Sequence, residues 1–444
     1  MPAAVNARPD VIVVGAGFAG VAAASALAER GVSVLVLETR QRVGGRAASW
    51  TDPRTGDVLD NGQHVLGSFY EDTLRLLDRL GTRDALHADP TLHLKLWERG
   101  HGEYELTAPN LPAPFHWLAA VGGCSRLSPS GRMAALMLHP KVKALLAQPE
   151  AAAPLTVERW LLAADGAGGS EDLAALLRPL AIAALNEETK DGSALLFARV
   201  LDRLLAAPAS KSGLALARRG LGELFTGFER YLENRGGSIR FRTTALGVRV
   251  ENGRAAGVSL LGGERLDAGA VILAVTHERL GWMLRPELLA PYRELVATPW
   301  SPIVSSVHLF DRPVLPARFI GMIGTATQWA FDRGSRGVDR YQVGTIRSAA
   351  FGDATRDAGV IAAETTADLR EAFPLAREAR LLNARVFKER RGTIRSTPMV
   401  QPHRPSNETA LPGLLLAGDW TDTGLPATIE SAVQSGHRAA ALVA

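Results

Sequence analysis

Residues 11–20 read Val11-Ile12-Val13-Val14-Gly15-Ala16-Gly17-Phe18-Ala19-Gly20, and the reading of this run decides the fold. Four branched residues in a row suit a strand buried on both faces. The glycines that follow have the spacing G-x-G-x-x-G. The first permits a tight turn, the second lets backbone approach a pyrophosphate, and the third packs helix against strand. Ala22 to Arg30 continues as good helix sequence, and its N-terminus offers amide donors and partial positive charge to phosphates. Val11 to Ala28 carries no charge, as a short membrane span would, but its glycines and alanines favour strand, turn and helix. Gly31 then ends the helix, Val32–Leu37 forms a second apolar strand, and Glu38 stands where an acid binds ribose hydroxyls. The expected fold class is α/β with a Rossmann-type dinucleotide-binding domain; a bare βαβ unit is the competing reading.

The next stretch, Glu38-Thr39-Arg40-Gln41-Arg42-Val43-Gly44-Gly45-Arg46, bears on which dinucleotide. A second glycine pair and a following arginine add close backbone approach and a cation for a diphosphate. It resembles the E-x-R-x-R-x-G-G-R segment of flavin amine oxidases and phytoene desaturases, and that resemblance implies non-covalent FAD. The cofactor-binding residues it implies here are Gly15, Ala16, Gly17, Ala19, Gly20, Glu38, Thr39, Arg40, Gly44, Gly45 and Arg46. Near the other end, Leu411 to Leu416 reads as a buried strand leading to Gly418-Asp419, and Thr421 to Glu430 leads into a helix over Ser431–Ala444. The resemblance places Asp419 on the ribityl chain and turns Ala427, Thr428 and Ile429 toward the flavin pyrimidine. A positive helix end there favours negative charge on a reduced ring. Val248, just before an Asn252-Gly253 hairpin turn, is implied as the backbone partner of adenine; a plain hairpin edge explains it equally well.

Composition bounds the rest. The chain has 444 residues, 46% hydrophobic and 22% charged, with a net charge of +4, so two or three ordinary globular domains are expected. No long basic run tracks phosphates, which argues against nucleic acid. The one cysteine, Cys124, cannot form an internal disulfide and suits a reducing compartment. No secretory leader pattern opens the sequence. Residues 8–86, 211–280 and 388–444 are assigned to the FAD domain. Residues 87–210, rich in Ala and Leu at helical spacing, and 281–387 make the substrate domain; within 298–350 the alternating apolar runs Ile303–Phe310, Phe319–Ile323 and Tyr341–Ile346 suggest an antiparallel sheet. Between Leu106 and Pro149 there is no Asp or Glu, while Phe115, Trp117, Met133 and Met137 accompany Arg126, Arg132, Lys141 and Lys143. This segment reads either as a surface for an anionic membrane or as a buried cap with solvated cations.

The chemistry turns on what borders the flavin. Amine oxidases commonly hold a water near the ring with a lysine, but no lysine occurs between Lys211 and Lys388. Trp300 to Phe310 carries serines instead, and Leu425-Pro426-Ala427-Thr428 offers no aromatic cage. Asp60-Asn61-Gly62-Gln63-His64-Val65-Leu66, Leu185-Asn186, Trp300-Ser301-Pro302-Ile303-Val304, Gln328 to Arg333 and Thr421 to Glu430 resemble the hydroxysqualene dehydroxylases, with matches spread from residue 10 to the C-terminus. One departure is local: Asn186 is followed by Glu187-Glu188-Thr189-Lys190 rather than Thr-Pro-Pro.

The resemblance implies reductive loss of an allylic hydroxyl from hydroxysqualene to give squalene in hopanoid biosynthesis. A phytoene or carotenoid-type desaturase, running hydride the other way, is the alternative; an amine oxidase is a second, and a flavin-binding protein without activity a third. Gly62, Gln63 and His64 are expected at the flavin, His64 also as proton donor or else as a structural residue, and Glu430 as a second candidate acid or a helix cap. Asn186, Trp300, Pro302 and Trp329 are expected to border the apolar isoprenoid substrate, with no metal. Only one dinucleotide fingerprint is present, so electrons are expected from an external donor. A thirty-carbon polyene costs roughly 20 kcal/mol to move into water at about 0.8 kcal/mol per CH₂. Its delivery from a bilayer or from another enzyme is expected, to a cytoplasmic protein peripheral on the inner face of the cytoplasmic membrane, through an apolar tunnel near residues 110–150.

Overall fold

Five short strands, each three or four residues long and all but the first largely aliphatic, assemble into one parallel sheet in the order Ser238–Arg240, Val34–Leu37, Val11–Val14, Ala270–Leu273, Leu414–Leu416. The structure is a computed structural model that describes residues 8–53, 55–112, 114–163 and 170–443. Alternation along Val11–Val14 divides its side chains between two cores. Val11 and Val13 pack with the helices Phe18–Glu29 and Ile429–Ala441. Ile12 and Val14 pack with Val248, Val258 and Trp420 on the other face. A strand buried on both sides has no polar face, and this explains the uninterrupted Val-Ile-Val-Val.

A three-stranded antiparallel sheet, Ala245–Glu251, Arg254–Leu260 and Arg265–Asp267, covers that second face. Its first turn has Asn252 at φ 49° and Gly253 at φ 71°, the left-handed pair that a two-residue hairpin needs.

The second large sheet has seven strands in the order Leu381–Ile394, Trp300–Phe310, Tyr341–Arg347, Trp329–Ser335, Phe319–Ile323, His93–Glu98, Gly102–Thr107. All neighbours are antiparallel except Phe319–Ile323 with His93–Glu98. Helices between Phe115 and Ala206 form a cap whose core includes Leu94, Leu106, Trp160, Leu177 and Phe197.

Two elements run across the expected divisions of the chain, and one stretch expected to be helical contains strands. Leu381–Ile394 runs through residue 388 as one strand, so the second sheet extends to 394. Residues 280–297 pack on the FAD side, where Leu280, Met283, Tyr292 and Leu295 join Ile12 and Val14. Residues 87–210 are not helical throughout, because the hairpin 93–107 completes the seven-stranded sheet. The C-terminal helix ends at Ala441, and Ala444 lies outside the described residues. Among the described residues, no helix is long and apolar enough to cross a membrane; the uncharged N-terminal run is a strand and a 12-residue helix.

Candidate active site

The glycine turn is built for close approach. Gly15 sits at φ 105°, and a Cβ there would lie 2.4 Å from the carbonyl oxygen of Ala274, so only glycine fits. A Cβ on Gly17 would meet nothing nearer than Gly45 Cα at 3.9 Å; the space before this turn is open, and a side chain would fill it. Gly17 and Gly44 are bridged backbone to backbone, which sets the second glycine pair against the first. Ala19 and Gly20 lie buried in the first turn of the helix. Glu38 is buried and accepts from the Ala16 N–H at 2.9 Å and the Arg40 N–H at 2.8 Å, one on each oxygen. Each oxygen keeps a further lone pair for a ribose hydroxyl. Thr39 is exposed at the rim of this loop.

Arg46 joins the two ends of the chain. It pairs with Asp419 at 2.5 Å, donates to the Gly392 carbonyl at 3.0 Å, and lies 5.6 Å from the centre of the Trp300 ring. Gly418 donates to Ser435 Oγ at 3.0 Å. Thr428 caps the helix that starts at Ile429 by accepting from the Ser431 N–H at 3.2 Å, directly after Ala427. Arg404, which sequence reasoning missed, holds this segment from behind. It is buried and donates to the carbonyls of Asp419, Thr421 and Leu425 at 2.8, 2.7 and 2.6 Å; burial lowers its guanidinium to about 10. No local pattern marks it, because its partners lie 15 to 21 residues downstream.

The residues fit a flavin dinucleotide. Arg42 Nη1 is buried with no partner beside the Glu38 loop, and burial lowers the pKa of its guanidinium. His277 Nδ1 is likewise buried and unpartnered, with its ring 4.4 Å from that of Trp300. Unmet donors and acceptors around an open glycine turn are what a polar ligand would satisfy. Val248 is paired with Val258 and packed into the core beneath the sheet with Ile12 and Val14.

The stretch 60–70 divides into structural and open groups. Asp60 is a buried hub that accepts from Ser49 Oγ, from the Leu221 N–H at 3.1 Å, from Gln63 Nε2 at 3.3 Å, and from Arg333 Nη2 at 3.0 Å. Asn61 donates to the Arg46 carbonyl and accepts from the Ala48 N–H at 3.2 Å, so it fixes the loop that carries Arg46. Gly62 faces the strand Trp300–Phe310, where Ser305 Oγ donates to the Asn61 carbonyl at 2.9 Å. Gln63 lines a polar cleft with Arg218, Arg318 and Arg333. His64 Nδ1 is 3.2 Å from the Gly62 carbonyl; a carbonyl only accepts, so Nδ1 carries the proton and Nε2 is left free. Burial pushes the His64 pKa below its ordinary value.

The remaining expected site residues fall in different places. Trp300 belongs with the Arg46 pair and donates to Glu278 at 2.9 Å. Pro302 is buried and accepts from the Ala350 N–H at 3.1 Å. Asn186, at φ 52°, ends the helix Glu171–Leu185; it donates to Ser301 O and Thr393 Oγ1, each at 3.0 Å, and accepts from the Ala349 N–H at 2.7 Å. Its side chain is fully used in fixing three elements. The departure after it has a partner, since Glu187 is buried and gripped by Arg395 at 2.7 and 3.0 Å. Trp329 packs in the cap core with Phe319 and Leu185. Glu430 caps a neighbouring helix, Glu71–Leu80, accepting from the N–H groups of Asp72 and Thr73 at 3.2 and 2.9 Å and from Thr73 Oγ1 at 2.7 Å. Burial raises its pKa. Among the described residues, no cluster of His, Cys, Asp and Glu is arranged to hold a metal.

A Rossmann sheet with an open glycine turn, a second glycine pair bridged to it, and a C-terminal Gly-Asp drawn onto the same loop define an FAD-dependent oxidoreductase. The family model for flavin containing amine oxidoreductases matches residues 18–444. A hydroxysqualene dehydroxylase of Rhodopseudomonas palustris is 32% identical over 98% of both chains, and the chain belongs to the hydroxysqualene dehydroxylase branch of that flavoprotein family. A 15-cis-phytoene desaturase of an Oncidium hybrid cultivar is more distant, 24% identical over 96% of this chain and 76% of its own. Among solved structures, a triple mutant of putrescine oxidase superposes with a TM-score of 0.73 at 18% identity, covering 98% of each chain; at that identity the likeness is one of fold.

Proposed function

We propose that this protein removes the hydroxyl of hydroxysqualene reductively, releasing squalene and water. The observation that carries the reading is the 32% identity with a hydroxysqualene dehydroxylase along the whole of both chains. Two features of the site support it. The strand facing residues 60–64, Trp300–Phe310, carries serines and no lysine, with Ser305 bonded to the Asn61 carbonyl, and the cap above encloses a cavity lined only by apolar side chains. When bound and reduced, FAD supplies the hydride for the carbon that loses oxygen. The chain's own part is to hold that carbon within about 3 to 3.5 Å of the hydride donor, to exclude water, and to protonate the leaving hydroxyl. His64 takes the last role, because its Nε2 is the one imidazole nitrogen not spent on backbone. Glu430 is engaged with a helix terminus, which leaves it to structure.

The same reading draws the substrate from a membrane surface. Leu111, Phe115, Leu118, Met133 and Met137 are exposed together on the cap, and an external donor returns electrons to the flavin. The pathway served is hopanoid synthesis at the inner face of the cytoplasmic membrane. The deciding experiment is anaerobic incubation of pre-reduced protein with hydroxysqualene. Flavin reoxidation matched by squalene is expected. Absence of both, with desaturation of phytoene by the oxidised protein, would instead establish the desaturase reading.

A further inference from the structure

The apolar cavity beneath the cap lies apart from the residues that face the flavin. Phe69, Leu94, Trp117, Val121, Leu138 and Leu177 are among its walls, and the rest are leucine and alanine. The one polar group in that lining, the Trp117 indole N–H, is spent on the Ala135 carbonyl at 3.1 Å. A cavity with no polar group to hold water stays dry and takes apolar guests.

Its walls come from the hairpin 93–107 with Leu92 just before it, from the cap helices with Leu127 in the loop between two of them, and from two residues further off in the chain. Leu214 comes from the strand that follows the cap. Phe69 comes from the stretch that carries His64 at its other end. Phe69 lies five positions after His64, a reach of at most about 18 Å along extended chain, which a thirty-carbon chain spans. The Phe69 ring packs against Gly67, where a Cβ would come within 2.5 Å of it. The ring is therefore seated on backbone at the boundary between the flavin-facing stretch and the cap.

We propose that this cavity is a second binding subsite, one that takes the terminal isoprene units of the substrate's unreacting arm, and that Phe69 is the partition the arm must pass. This rests on the isoprenoid reading above. It adds a selectivity that reading lacks: a chain ending in hydroxyl or diphosphate would bury a polar group with no partner, so the subsite accepts only arms that end in hydrocarbon. The outer faces of the same helices, Phe115–Gly123 and Pro129–Leu136, carry the exposed Phe115, Leu118 and Met133, so a single helix layer separates the cavity from the cap's apolar surface.

The test uses holoprotein and 1-bromooctane, whose bromine quenches a neighbouring indole. Wild type is expected to show saturable quenching that Trp117→Phe removes, and Val121→Phe, which fills the cavity, is expected to abolish binding and to raise the KM for hydroxysqualene at least tenfold with FAD still bound. Absence of quenching in wild type, or a folded Val121→Phe with an unaltered KM, overturns the proposal. Should Val121→Phe fail to fold, Phe69→Ala decides: it is expected to shift preference toward arms one isoprene unit longer, and an unchanged length profile refutes the partition. The quenching arm needs no turnover, so failure of the hydroxysqualene reaction alone would sink the functional reading and leave the cavity's occupancy to be decided by quenching.

Discussion

His64 combines a free ring nitrogen with a depressed pKa, and the two have opposite consequences with pH. Its pKa is lowered chiefly by burial, so the unfolded chain binds that proton more readily than the folded one. The stability it contributes is complete above the unfolded value near 6.5 and is lost as pH falls through the lower folded value. Proton donation requires the protonated ring, so turnover should rise over the same window as stability falls. His64→Gln, which keeps a hydrogen-bonding group but cannot titrate, is expected to bind FAD with an unchanged spectrum, to lose about a hundredfold in kcat, and to show a flat rate profile through that window. A His64→Gln protein with wild-type kcat would remove the residue from the reaction. Asn61 and Asp60 beside it are satisfied within the protein, so the stretch 60–64 is part scaffold and part site.

At the scale of elements, Glu430 shows why a carboxylate near a flavin need not be an acid. It ties the N-terminus of Glu71–Leu80 to the helix that begins at Ile429, satisfying amide groups that a helix cannot satisfy itself. Glu430→Ala leaves the Asp72 and Thr73 amides without this partner, at about 1–3 kcal/mol for a buried donor; a fall of several degrees in Tm with FAD retained is the expected result. If Glu430→Gln keeps the Tm but stops turnover, the carboxyl belongs to the chemistry instead. That role was not legible in sequence, because the capped helix lies about 357 residues away. What was legible rested on local physics: Val11–Val14, the glycine spacing, the Asn252-Gly253 turn and the strands Phe319–Ile323 and Tyr341–Arg347 all follow from short-range preference. The hairpin His93–Glu98 with Gly102–Thr107 alternates clearly, yet it was absorbed into a helical insertion by the Ala and Leu around it. Arg404, Arg333 and the Asn186 knot escaped because each acts through partners that only the fold brings near.

For the whole molecule, the question is how an oily substrate reaches a site roofed by protein. The cap places Phe115 at 58% and Met133 at 62% exposure, with Leu111, Leu118 and Met137 nearby in sequence, a grouping larger than scattered surface hydrophobes require. The cations that accompany them are less available than composition suggests. Arg126 is paired with Glu98 at 2.6 Å and Lys143 with Asp202 at 2.8 Å. Insertion of apolar side chains should therefore outweigh attraction to anionic headgroups, and binding should persist when salt screens charge. Each large side chain contributes about 1.5–3 kcal/mol on full burial, so the double variant Phe115→Ser with Met133→Ser is expected to weaken association more than tenfold. Flotation with anionic vesicles measures this: wild type should rise with them at low and high salt, and the double variant should stay below at both. Protein that remains at the bottom even at low salt would show that the cap's apolar face serves some other contact, and that the substrate arrives by transfer from another protein.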